Sequence, residues 1–197
     1  LHQFACRRPA VQEMKPESGF NALHCAAFHN SVETATVLLD NPRFTGVDAV
    51  VTVDPGCQNR GSNALHIACG RGHIRMATLL LEKGSRFTTV DAVSPSGNTA
   101  LHYAVASQVP ELVQLLLATP GLDANARSER GQTALHTAIL MRHEDSALAL
   151  LQHERFTDVD ARDISGQSAC DLALKWLPDS KVTRLLKRRS RVIDPFR

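Results

Sequence analysis

Several features that would assign this 197-residue chain quickly are missing. No apolar run approaches the length of about 18 residues that a membrane-spanning helix needs, so insertion by a helix is not expected. There is no P-loop, no Gly-rich dinucleotide turn, no nucleophile elbow and no His-Glu-x-x-His, so neither catalysis nor a cofactor is expected. The five cysteines, Cys6, Cys25, Cys57, Cys69 and Cys170, contain no Cys-x-x-Cys pair. An odd set of this kind reads as unpaired thiols in a reducing compartment, cytoplasmic or, as second choice, nuclear. No signal-peptide pattern is present and the chain opens on Leu1, which suggests a segment of a longer protein.

What is present is repetition. Gly19-Phe-Asn-Ala-Leu-His24, Gly61-Ser-Asn-Ala-Leu-His66, Gly97-Asn-Thr-Ala-Leu-His102 and Gly131-Gln-Thr-Ala-Leu-His136 are near copies, followed by a decayed Gly166-Gln-Ser-Ala-Cys-Asp171. Their glycines are 42, 36, 34 and 35 residues apart. Asn21, Asn63, Thr99, Thr133 and Ser168 each precede an apolar helical run, where a short polar side chain accepts a bond from an orphan amide of the first turn. Second apolar runs follow at Val32 to Leu39, Ile74 to Leu81, Leu112 to Leu117, Ser146 to Leu151 and Val182 to Leu186. Pairs of helices this short cannot bury their apolar faces alone and must stack on their neighbours.

A period in the mid-thirties with this signature resembles the ankyrin repeat. The resemblance covers about residues 16 to 190 and implies an all-α solenoid of helix-turn-helix units carrying β-hairpin fingers. Five units are expected at about 16–57, 58–93, 94–127, 128–162 and 163–190, the last as a cap. Residues 1–15 are too short for a unit and read as a truncated repeat or irregular N-terminal cap, and 191–197 as a basic tail.

Departures from the pattern are informative. Arg43-Phe-Thr-Gly-Val-Asp-Ala49, Arg86-Phe-Thr-Thr-Val-Asp-Ala92 and Arg155-Phe-Thr-Asp-Val-Asp-Ala161 mark the junctions, where Phe44, Phe87 and Phe156 are expected to be packing staples, a recognition stripe being the alternative. Between Asp48 and Gly61 the chain carries seven more residues than between the matching positions of later units. This lengthened finger, with Val51, Val53, Asp54 and Pro55, is either a binding element or a neutral loop insertion.

His24, His66, His102 and His136 recur once per unit, but helices packed about 8–10 Å apart cannot close successive imidazoles on one zinc ion without a ligand between them. No metal is expected, and the resemblance assigns these rings to hairpin backbone. From Lys175 onward the net charge is +6, against −4 for the rest. The cluster Lys187 to Arg191 serves helix-end solvation, nuclear localisation or a nucleic-acid contact; no aromatic interleaves it as base stacking would require, so nucleic acid is not the expected partner.

The resemblance also implies a function: a non-catalytic module that binds a protein partner through finger tips and the exposed face of the first helices, inside a larger scaffold, adaptor or signalling regulator. At the family's variable positions stand Phe20, Phe28, His29, Arg60, Arg71, Asn98, Ser107, Arg130, Gln132, Leu140, Met141 and Trp176. Phe28, Arg71 and Met141 are expected as outward anchors without a folding role. A monomer is expected. The alternatives are an IκB-type inhibitor or nuclear cofactor of a transcription factor, and a nucleic-acid-associated protein using the tail.

Overall fold

The computed structural model describes residues 19–52, 60–83 and 87–193, the last four as backbone only. The expected N-terminal cap at 1–15, residues 53 to 55 of the lengthened finger and residues 194–197 of the tail lie outside the described residues. Five helix pairs follow one another: α1 (Ala22–His29) and α2 (Val32–Asp40), α3 (Ala64–Gly70) and α4 (Ile74–Glu82), α5 (Ala100–Ala106) and α6 (Pro110–Ala118), α7 (Ala134–Leu140) and α8 (Glu144–Gln152), α9 (Ala169–Trp176) and α10 (Lys181–Ile193). The expected boundary at 190 falls inside α10, which runs on to Ile193.

Each first helix starts where the capping signal places it. The side chains of Asn21, Asn63, Thr99, Thr133 and Ser168 take the backbone amide of the third helical residue, and that residue's own side chain returns a bond to the cap's amide. This reciprocal box satisfies two donors that a helix end otherwise leaves open. In four units the returning group is a histidine, and in the fifth it is Asp171.

Stacking gives two layers. First helices pack in the order α1, α3, α5, α7, α9, and second helices in the order α2, α4, α6, α8, α10. Small residues make the close approach: Ala26, Ala68, Ala104, Ala138 and Ala173 occupy one register position and are all buried. Leu23, Leu65, Leu101 and Leu135 fill the space beside them, each removal from water stabilising by about 1.5–3 kcal/mol. Leu174 stands where Ala27, Cys69, Val105 and Ile139 are covered by the following unit, and it is 44% exposed.

The fingers are reduced compared with the expected hairpins. Among the described residues no strand forms, and pairing amounts to one isolated bridge, Arg162 with Ser168. Each finger is a turn closed by two backbone bonds: Ser94 N–H to Asn98 O (2.9 Å) with Gly97 N–H to Ser94 O (2.8 Å), and the same pair at Ser128, Gly131 and Gln132 and at Asp163, Gly166 and Gln167. Gly97 and Gly131 have φ of +71° and +69°, which is why glycine recurs there.

Candidate protein-binding face

The junction phrase acquires a mechanism in the folded chain. Phe87 and Phe156 are buried and Phe44 is half-buried, so these rings pack helix ends as staples. The guanidinium of Arg155 donates to the carbonyls of Leu117 (2.9 Å), Thr119 and Leu122, occupying acceptors that the end of α6 leaves open. Asp48 accepts from the amides and hydroxyls of Thr88 and Thr89 at 2.7–3.2 Å, and Asn125 accepts from the amides of Thr157 and Asp158, both at 2.9 Å. Burial alone would raise the Asp48 carboxyl; the bonds from Thr88 and Thr89 outweigh it and hold the group below the ordinary range.

The signature histidines also join units. Nε2 of His24 meets Ala49 O at 2.9 Å, that of His102 meets Gln132 O at 3.0 Å, and that of His136 meets Gln167 O at 3.3 Å. The other ring nitrogen, Nδ1, accepts from the cap's own backbone amide. An amide N–H only donates, so the proton must sit on Nε2 and the rings are neutral. Burial lowers the pKa of all four, to about 4 for His66. His66 Nε2 lacks a partner in hydrogen-bonding geometry, although the Asn98 and Ala92 carbonyls lie near enough to oppose the effect of burial in part. A second row of histidines, not foreseen from the sequence, begins the second helices: His73 reaches Phe28 O (3.3 Å) and His143 reaches Val105 O (2.8 Å). Their signal was a His shortly before the second apolar run in two units, directly before Ile74 in one and three residues before Ser146 in the other.

At the first-helix ends the structure corrects the expected anchors. Phe28 is buried rather than held out. The Arg71 guanidinium lies 3.5 Å over its ring centroid, so this pair couples the first unit to the second. Phe20, half-buried, stands edge-on to His24 and Phe28 with centroids 5.8 and 6.4 Å apart, and exposed His29 stands edge-on to Phe28 at 5.2 Å. Four of the expected contact residues, Phe20, Phe28, His29 and Arg71, are thus one inter-unit aromatic cluster. Gly70 leaves room for Tyr103, whose Cδ1 would lie 3.2 Å from an added Cβ. Ser107 is half-buried and donates to Ala104 O at 2.7 Å.

Toward the other end, half-buried Leu140 and Met141 close α7, and half-buried Trp176 closes α9. The charges of exposed Arg142 and Lys175 lie 5.7 and 5.2 Å from the Trp176 ring centroid. Arg142 holds this position with a left-handed φ of 60°, a conformation that costs a side chain of this kind about 1–2 kcal/mol. Arg130 is exposed on the fourth finger. The carboxylates nearby are occupied differently. Asp163 accepts from the amides of Ser165 and Gln167, and Asp171 from the amide and hydroxyl of Ser168, whose bonds hold its carboxyl below the usual range. Behind this face α8 and its junction carry Glu144, Asp145, Glu154, Asp158 and Asp160. Within the fourth unit these acids lie on the second-helix side, away from Arg130 and Arg142, whereas α10 behind the fifth unit is itself basic.

The finger tips form a backbone ladder. Glu129 N–H donates to Ser96 O and Ile164 N–H to Arg130 O, each at 3.0 Å. Asn98 and Gln132 are half-buried and spend their carbonyls on finger closure. Arg127 adds a clamp, donating to Gly131 O (3.1 Å) and to Arg162 O. The ladder stops between the second and third units: the residue that would donate to exposed Arg60 is Pro95, which has no N–H. The lengthened finger closes on the same two bonds as the others, Val51 N–H to Ser62 O (2.9 Å) and Gly61 N–H to Val51 O (2.7 Å). Val51 is buried, so it belongs to the finger's base, and the seven additional residues all lie beyond it, where other tips hold two. Val50, Val93 and Ile164, at 43%, 58% and 75% exposure, are finger residues that the family's variable positions did not single out. Their β-branched side chains beside turn residues were the available cue.

A two-layer stack of capped helix pairs, joined by side chain to backbone bonds at every junction, is a repeat solenoid. Residues 18–49 match the ankyrin repeat, and residues 45–128 and 106–194 match ankyrin repeats in three copies; the chain belongs to this family. Such repeats are generally non-catalytic modules for protein–protein interaction. Similar proteins include the mouse B-cell lymphoma 3 protein homolog, 36% identical over 61% of this chain and 25% of that protein. The chicken nuclear factor NF-kappa-B p105 subunit is 31% identical over 57% of this chain and 11% of its own length. The probable 26S proteasome regulatory subunit p28 of Saccharomyces cerevisiae is 25% identical over 83% of this chain and 67% of its own. The chain thus spans a quarter or less of the first two relatives. Among the described residues no three His, Cys, Asp or Glu side chains converge as a metal site requires, and no helix is long and apolar enough to cross a membrane.

Proposed function

We propose that this chain is the protein-binding part of a larger scaffold, adaptor or signalling regulator, engaging its partner through the finger tips and the exposed side of the first helices. The observation that carries this reading is the division of labour among side chains. Core, caps and junctions account for the buried residues, whereas Val93, Ile164, Arg130 and Arg142 are exposed on that one side without filling the core. Ser107→Arg and Met141→Arg should abolish capture of the partner by this chain, while Gln114→Arg, on exposed α6 surface, should leave it intact. Capture kept by Ser107→Arg and Met141→Arg but lost in Gln114→Arg would move the site to the other layer.

A second reading, an inhibitor or nuclear cofactor of a transcription factor, is favoured by two of the similar proteins, the B-cell lymphoma 3 homolog and the NF-kappa-B p105 subunit. Co-precipitation of a transcription factor that Ser107→Arg disrupts would support it.

A further inference from the structure

We infer that the partner segment bound at the ends of α7 and α9 is acidic, a proposal that rests on the protein-binding reading above and names the chemistry of what binds. Two cations, Arg142 and Lys175, converge on one half-buried indole, Trp176. Like charges gathered on one ring repel each other, and the ring's π face offsets only part of that. Neither cation makes an ion pair with a described residue: Arg162 takes Asp171 at 3.6 Å, and the carboxylates of Asp163 and Asp171 are turned to backbone amides and the Ser168 hydroxyl. Arg142 moreover occupies a left-handed backbone position that Gly72 fills in the second unit, so the chain accepts backbone strain to hold a guanidinium there. A carboxylate entering between Arg142 and Lys175 would relieve the repulsion, and Leu140 and Met141 beside it supply apolar contact.

Peptide rather than nucleic acid is the occupant these residues fit. The Arg142 and Lys175 charges, 5.7 and 5.2 Å from the Trp176 ring centroid, crowd the face on which a base would stack. An acidic chain with an aliphatic or aromatic residue among its carboxylates matches both the charge and the apolar floor.

The test is selection of random 12-residue peptides on the whole chain, followed by titration of the selected peptides against wild type, Arg142→Ala/Lys175→Ala, and Arg142→Lys. Enrichment of Asp and Glu, binding weakened about tenfold or more in the double variant and by raised salt, and retention in Arg142→Lys are expected. Unchanged helical circular dichroism of the double variant would confine the loss to the face. Selection of neutral or basic peptides, no selection at all, or acidic peptides that bind the double variant equally would overturn the proposal. Neutral peptides lost on Ser107→Arg would overturn the acidic assignment while sparing the protein-binding reading, so the two fail separately. Tighter binding of a 20-nucleotide single strand than of any peptide, abolished in the double variant, would reassign the face to phosphate and likewise overturn it.

Discussion

At the scale of residues the signature histidines decide most. In His24, His102 and His136 the ring is neutral, with Nδ1 accepting from a cap amide and Nε2 donating to the next unit's backbone, whereas Nδ1 of His66 lies 2.7 Å from Asn63 Oδ1. His102→Ala removes one of the two donors to the Gln132 carbonyl and strands the Thr99 amide, and should lower unfolding free energy by about 1–3 kcal/mol in urea titrations. A proton added to Nδ1 would face an N–H donor, and burial opposes the charge as well. The folded-state pKa values therefore lie below the unfolded value of 6.5. The sign follows: the stabilisation is complete above about pH 6.5 and is lost as pH falls toward the folded value, about 4 for His66. That ring alone accounts for about 3 kcal/mol at pH below both values. Urea midpoints measured from pH 7.5 to 4 should fall steeply below 6.5, and His66→Gln should flatten the slope; an unchanged slope in that variant would remove His66 from the account. Arg71 shows the opposite lesson, because stacking on Phe28 makes Arg71→Ala a stability change as well as a surface change.

At the scale of elements, finger glycines look alike in the sequence and differ in the fold. A Cβ on Gly97 would lie 2.5 Å from Glu129 N and 3.0 Å from two Ser128 backbone atoms, whereas one on Gly166 would meet nothing within 4 Å. Both have positive φ. Gly166→Ala should therefore cost about 1 kcal/mol from backbone strain alone, and Gly97→Ala clearly more, because the fourth finger has to shift. Equal melting temperatures for the two variants would show that the fingers are not in register contact. The junction phrase behaves as an element too: Arg155→Met leaves the Leu117, Thr119 and Leu122 carbonyls without their donor and should cost about 1–3 kcal/mol by the same urea titration.

At the scale of the molecule, the lengthened finger is separable from the stack. It closes on the bonds every other finger uses, and Pro95 withholds the donor that would tie it to the next one. Excising residues 53 to 59 leaves Thr52 and Arg60 as a two-residue tip like Pro95 and Ser96. The helical signal should persist and the melting temperature should move by only a few degrees, since loop length carries a small entropic weight. An excision that began at Val51 would remove a buried side chain and both closing bonds, and should destabilise. Collapse of the helical signal after the shorter excision would show that the insertion supports the stack.

Period, caps and paired apolar runs were legible in the sequence because they are local. A cap acts within three residues and a helix buries one face, so Asn21, Thr99 and Ser168 announce their helices without knowledge of the rest. The seven-residue excess was also countable, although only the bonds from Val51 to Gly61 and Ser62 show where it begins. What the tertiary structure decided is which side chains the neighbouring units consume. Phe28 and Arg142 both stand at the ends of first helices, yet the first lies buried under Arg71 and the second is exposed beside Trp176. Contacts between units join residues far apart in the chain, such as His102 with Gln132 at 30 positions and Arg155 with Leu122 at 33, and no local pattern specifies their geometry.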